Sequence, residues 1–155
     1  MILLISTLII NLAGCKVTLK AGIINNEDKI ETNENEQVEI VKEKLDALCS
    51  KLIDADEENI NKALKEFQEN TLKDVENVYF AKEDSKKLYI YPNLGLPEDY
   101  DPTKRPWYEK AKEDEYYINE YIDSVKNNNM LTVSKALYKD KVFVGVVGLD
   151  LIIKK

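Results

Sequence analysis

The stretch VFVGVVGLDLII at residues 142–153 is apolar on both faces of an extended chain, interrupted only by Gly145, Gly148 and Asp150. A run of this kind, without polar alternation, is what a strand covered on both sides of a sheet requires. Working back from it, two more strand candidates lie at 131–138 and 117–125, separated by the turn-forming triplets Lys139-Asp140-Lys141 and Asn127-Asn128-Asn129. Farther upstream, Val75, Val78, Tyr79 and Phe80, then Leu88, Tyr89, Ile90 and Tyr91 after a polar turn at 82–87, read as a β-hairpin. Short turns between successive strands favour antiparallel neighbours.

The region before the hairpin has a different period. Val38, Val41, Leu45, Leu48, Leu52 and Ile53 recur at steps of three and four, the stripe of an amphipathic helix over about 36–53. Asp54 or Asp56 can cap a second helix, in which Ile60, Ala63, Leu64, Phe67 and Leu72 continue the step to about residue 73. Residues 93–106 hold three of the four prolines and Gly95, so regular structure resumes only where Asp101 and Pro102 offer an N-cap and a first helical position, opening a short helix over 102–112. Two helices, two strands, a helix and three strands make an α+β domain, with N-terminal helices packed on a central antiparallel sheet.

Composition narrows the function. The chain has 155 residues, 44% apolar and 33% charged, which suits a single globular domain. Its 22 basic and 29 acidic side chains leave a net charge of −7 with no basic cluster, so no nucleic-acid partner is expected. The absence of histidine removes the commonest general base, the usual zinc ligand and every Ser/His or Cys/His nucleophile pair. No residue set suggests turnover, and no cofactor or metal is implied.

The two cysteines sit in different settings. Cys49, between Leu48 and Ser50 on the first helix, reads as a buried, inert thiol. Cys15 closes an uncharged apolar run that ends in Leu12-Ala13-Gly14, too short to cross a bilayer and suited to the apolar core of an export signal. This resembles the lipobox of bacterial lipoproteins, which implies cleavage before Cys15 and lipidation of its thiol, although no basic residue precedes the run. A short buried segment is the other reading. On the lipoprotein reading, 1–14 is a signal peptide and 15–37, with its polar stretch NNEDKIETNENEQ, is a tether. Residues 38–155 are then one domain, lipid-anchored outside the cytoplasm, whose membrane attachment rests on the lipid.

The segment LPEDYDPTKRPWYEKA at 96–111 resembles the signature of Cache domains, the extracytoplasmic PAS-like sensor modules of bacterial chemoreceptors and histidine kinases. The blocks VENVYF at 75–80, EYIDS at 120–124 and VGVVGLDL at 144–151 agree in order, so the similarity spans about 38–153. It implies a PAS-like Cache module. More narrowly, the chain is similar to the membrane-distal module of the double-Cache subgroup that senses amino acids. Tyr100, Arg105, Trp107 and Tyr108 match the spacing of that subgroup's motif, Tyr121 matches its downstream tyrosine, and Asp150 its aspartate. The resemblance implies that Arg105 and Trp107 hold a ligand carboxylate, that Asp150 with Tyr108 and Tyr121 holds its ammonium, and that Tyr100 completes the wall.

The chemistry is coherent without the family. A zwitterion needs a cation for one end and an anion for the other, and tyrosines add π faces and hydroxyl acceptors around an ammonium. The structural alternative makes Trp107 and Tyr108 core residues, Arg105 the partner of a carboxylate that staples the loop, and Asp150 a strand-end cap. A small organic carboxylate is the other ligand class, needing Arg105 but not Asp150. Because the sequence given closes at Lys155, without the second module and membrane helix of a double-Cache receptor, three roles are expected. They are a lipid-tethered binding protein serving a membrane-bound receptor or kinase, a truncated receptor remnant, or a protein-interaction module.

Overall fold

The computed structural model describes residues 26–124 and 126–153, with side chains from residue 35 onward. Signal peptide, Cys15 and the first part of the expected tether therefore lie outside the described residues. In chain order the elements are α1 (Asn26–Leu52), α2 (Glu57–Asn70), β1 (Val75–Lys82), β2 (Leu88–Tyr91), a 3₁₀ turn (Pro102–Lys104), α3 (Pro106–Asp114), β3 (Tyr116–Ile122), β4 (Asn129–Lys139) and β5 (Val142–Ile152).

As the apolar run at 142–153 requires, β5 is the central strand of a five-stranded sheet in the order β2-β1-β5-β4-β3. Every neighbouring pair is antiparallel. The β4–β5 hairpin turns through Asp140 and Lys141, both at positive φ (48° and 69°), the twist that a two-residue hairpin loop needs. Gly145, at φ 150°, passes so close to β1 that an added Cβ would lie 2.1 Å from the Ala81 carbonyl oxygen, so only glycine fits there.

Alternation along the strands assigns one residue set to each face. Val147, Leu149 and Leu151 of β5 join Val78 and Phe80 of β1 and Leu131 and Val133 of β4. Against them pack Val41, Leu45, Leu48 and Leu52 of α1 and Ile60, Leu64 and Phe67 of α2. Both helices thus cover the same face, each by its apolar stripe. The Asp56 carboxylate accepts the Asn59 backbone N–H at 2.9 Å and caps α2. Cys49 is buried in this core, and loss of solvent pushes its thiol up to about 12, which makes it inert. On the opposite face α3 lays Tyr108 and Ala111 over Ala81 and Val146.

Strand and helix ends shift by up to three residues from the sequence expectation, β3 closing at Ile122 and α2 at Asn70, and two helices depart further. Helix α1 begins at Asn26 and runs through the polar stretch assigned to the tether. An apolar stripe marks only the part of a helix that packs, whereas a polar, Glu-rich extension of a nucleated helix propagates without one. The helix expected over 102–112 is broken into a 3₁₀ turn and α3 at Arg105, whose backbone is extended (φ −96°, ψ 145°). Pro106 is the cause, because its ring forces the preceding residue out of the helical region.

Leu45 is fully buried between α1 and the sheet. Leu45→Ala should cost about 2–5 kcal/mol. In a thermal melt followed by circular dichroism that corresponds to a fall in Tm of roughly 5–15 °C. A fall under 2 °C would show that the helix layer does not hold the sheet.

Candidate functional site

On the α3 side the sheet is only partly covered, and a cavity of about 360 Å³ opens over it. Its floor runs across the strands. Tyr79 comes from β1, Asp150 from β5, Thr132 from β4, and Asn119 and Tyr121 from β3. The register sets Asp150 opposite Thr132 and Thr132 opposite Asn119. Gly148 makes room for this floor: a Cβ there would lie 2.4 Å from the Tyr79 ring, which occupies the space instead. Trp107 and Tyr100 close the cavity from above, while Leu88, Ile90, Leu94 and Leu96 line the β2 side.

Trp107 is fixed from two directions. Its indole sits 4.7 Å from the Tyr79 ring, centroid to centroid, and its carbonyl accepts the Ser134 hydroxyl at 2.8 Å. The second contact ties the first turn of α3 to β4. Aromatic walls of this kind offer apolar area and negatively polarised ring faces to a bound cation.

Of the six residues singled out from sequence, Tyr100, Trp107, Tyr121 and Asp150 line the cavity. Arg105, the chain's single arginine, does not. It is exposed, and its guanidinium carbon lies 4.4 Å from the centre of the Tyr100 ring, a cation–π stack on a residue that does line the cavity. Among the described residues no carboxylate pairs with it, so it does not staple the loop in the way the structural alternative required.

Tyr108 is placed elsewhere. It is buried on the far side of α3, donating its hydroxyl to the Glu83 carboxylate at 2.5 Å. Its ring packs edge-on against Trp107 and Phe143. Successive helical residues point about 100° apart, and here that turn carries Tyr108 toward Glu83 and Phe143 and away from the cavity that Trp107 lines. The expectation that Tyr108 lines the site is corrected accordingly.

Sequence reasoning passed over Tyr79, Thr132 and Asn119. Tyr79 carried the clearest signal, since in the hairpin strand it alternates with Val78 and Phe80 and so belongs to the face opposite the helices.

Residues 45–155 match the family of methyl-accepting chemotaxis protein-like first PDC sensor domains. The chain belongs to this family of Cache-type sensor domains. Among curated relatives, the methyl-accepting chemotaxis protein TlpB of Bacillus subtilis is 38% identical over 87 residues, 54% of this chain and 13% of that protein. McpC of the same organism is 41% identical over 69 residues, 43% of this chain and 10% of McpC. The ligand-binding domain of the Pseudomonas aeruginosa amino acid chemoreceptor PctC, solved with GABA, superposes with a TM-score of 0.72 at 22% identity, over 79% of this chain and 56% of that one. That of Pseudomonas fluorescens CtaA, solved with L-serine, does so at 0.60 and 23%, over 81% and 53%. The chain thus spans about half of these solved domains and about a tenth of the curated receptors. Among the described residues no helix is long and apolar enough to cross a membrane, and no cluster of acidic or thiol side chains could hold a metal.

In this PDC domain the electrostatics of the cavity centre on Asp150. Burial pushes its carboxyl above the ordinary aspartate value, against hydrogen bonds from Thr132, Asn77 and Tyr79 that pull it down. The Thr132 hydroxyl donates at 2.6 Å and the Tyr79 hydroxyl at 3.4 Å, both to Oδ1. Among the described residues no lysine or arginine pairs with it. Burial, then the Asp150 charge, also raises the Tyr79 and Tyr121 phenols, which remain protonated donors.

A carboxyl raised in the folded state adds stability at low pH that is lost as pH rises through its folded value. The ligand-free domain should therefore gain stability relative to Asp150→Asn as pH falls from neutrality toward 4. At pH 7 Asp150→Asn should be the more stable of the two. Denaturant titrations of both proteins at several pH values check this, and a wild type more stable than the variant at pH 7 would reject an uncompensated Asp150 charge.

Proposed function

We propose that this domain is an extracytoplasmic sensor module that binds a small molecule bearing an ammonium group, most simply an α-amino acid, in the cavity over β1, β5, β4 and β3. The observation that carries the reading is Asp150, a desolvated carboxylate facing an open, aromatic-walled cavity with no cation of its own. A ligand ammonium supplies the missing charge, and the phenol rings of Tyr79 and Tyr121 surround it with π faces. The Arg105 guanidinium, without an anionic partner, is available to the ligand carboxylate, and Trp107 supports it from α3. The solved relatives hold GABA and L-serine, both of which join an ammonium to a carboxylate.

Calorimetry of the wild type, Arg105→Ala and Asp150→Asn tests this against the best amino acid from a thermal-shift screen and against its deaminated analogue. Arg105→Ala should weaken amino-acid binding by about 2–5 kcal/mol, roughly 30- to 4,000-fold, by leaving a carboxylate desolvated and unpaired. Asp150→Asn should weaken it comparably. A plain organic acid as the true ligand gives the opposite sign at Asp150, because removing the negative charge then leaves binding unchanged or improves it. Unchanged affinity in both variants would falsify this site.

Membrane attachment follows the apolar run that closes on Cys15. The exported protein is proposed to begin at a diacylated Cys15, held at the membrane by its lipid and placed to serve a membrane-bound receptor or kinase. Intact mass spectrometry checks this. An unmodified Met1 terminus, or a Cys15→Ser protein that remains equally membrane-bound, excludes the anchor.

A further inference from the structure

The proposed site has one charged side chain on its wall, Asp150, and that charge is assigned to the ligand ammonium. With Arg105 assigned to the carboxylate, no charged partner remains on the cavity wall itself, and Glu98, which shares a neighbouring groove with Leu88, Ile90 and Leu96, is exposed to solvent. An unpaired ion placed in such a cavity loses its hydration without compensation. The two lysines before Leu88 do not change this, since Lys86 lies 3.6 Å from the Asp101 carboxylate and Lys87 2.6 Å from that of Glu57.

The remaining wall is apolar and grouped. Leu88 and Ile90 project from β2, two strands and so about 10 Å across the sheet from Asp150. Register confirms that they share its face: Ile90 pairs with Tyr79 and Leu88 with Ala81. Behind β2 the chain continues through a segment without regular structure that carries Leu94 and Leu96, which are 50% and 37% exposed. Two large apolar side chains left in water beside an open cavity are surface that an apolar group would cover with gain, by releasing the water against them.

Resting on the amino-acid reading above, we infer that the preferred ligands are amino acids with uncharged aliphatic side chains, of the size of valine, leucine or isoleucine, and that Leu88, Ile90, Leu94 and Leu96 are the residues that select them. Asp150 and Arg105 then recognise what every amino acid shares, and the β2 wall recognises what distinguishes one from another.

Calorimetry of the wild-type chain with L-alanine, L-leucine, L-serine, L-glutamate and L-lysine tests the inference, with Leu94→Ser and Leu96→Ser as variants. Both sites are exposed, so folding should survive, and circular dichroism melts verify that it does. Leucine should bind roughly tenfold or more tighter than alanine, the range for added methylenes in an apolar pocket. Glutamate and lysine should bind more weakly still. Each variant should weaken leucine several-fold while leaving alanine within about twofold. Binding of serine, glutamate or lysine as tight as that of leucine, or an equal loss for alanine and leucine in the variants, overturns the inference. If that binding still depends on Asp150, the amino-acid reading stands and only the selectivity falls. If none of the five binds, the reading of the site fails first.

Discussion

The position of β5 between β1 and β4 is the constraint on which the rest of the molecule depends. It buries a strand on both faces and so demands a layer on each side. Helices α1 and α2 cover one side, mostly with apolar contact. On the other side α3 is short and covers Ala81 and Val146 but stops short of Asp150. The cavity is the part of the sheet that the second layer does not reach. Gly148 and Gly145 matter for the same reason, since each lets a neighbour approach β5 where a side chain would hold it away.

A single proline then sets how that second layer begins. Pro106 holds Arg105 extended, which separates the 3₁₀ turn from α3 and starts the helix at the cavity edge. Trp107 falls on the cavity side of the new helix and Tyr108 on the opposite side, where Glu83 and Phe143 receive it. Arg105, outside the helix, keeps a side chain unconstrained by helical packing and rests on Tyr100. The Arg-Pro-Trp-Tyr order thus distributes one cation, one cavity aromatic and one core aromatic over three directions.

This explains which features were legible in the sequence. The central strand, the hairpins and the packed parts of both N-terminal helices were, because burial on one or two faces writes itself into periodicity, as at Val147, Leu149 and Leu151 or at Val41, Leu45 and Leu48. The start of α1 was not, because a polar helix extension leaves no such pattern. Four of the six proposed site residues reach the cavity, and Tyr108 was misplaced because motif spacing counts residues along the chain without resolving the 100° between neighbours on a helix. Thr132 and Asn119 stayed hidden because they meet Asp150 only through strand register, which no local pattern encodes.

Two aspartates show why the cavity reads as a site while the rear of the sheet reads as structure. Asp46 on α1 accepts hydrogen bonds from Lys135 at 2.6 Å and from the Tyr116 hydroxyl, which joins the first layer to β4 and β3. Burial opposes its charge, but those donors outweigh burial and hold its carboxyl below the ordinary value. Lys135 answers in kind: burial lowers it, and Asp46 and Tyr116 raise it above the usual lysine range. That charge is compensated within the protein. Asp150 receives only neutral donors, from Thr132, Asn77 and Tyr79, and burial wins. The Asn77 Oδ1 is buried without a hydrogen-bond donor. One face of the sheet therefore satisfies its charge internally and the other leaves acceptors unmatched beside an opening. A fold gains nothing from the second arrangement while the cavity is empty. It gains from it when a cationic group enters, and the energy withheld from the free domain is then available to the complex.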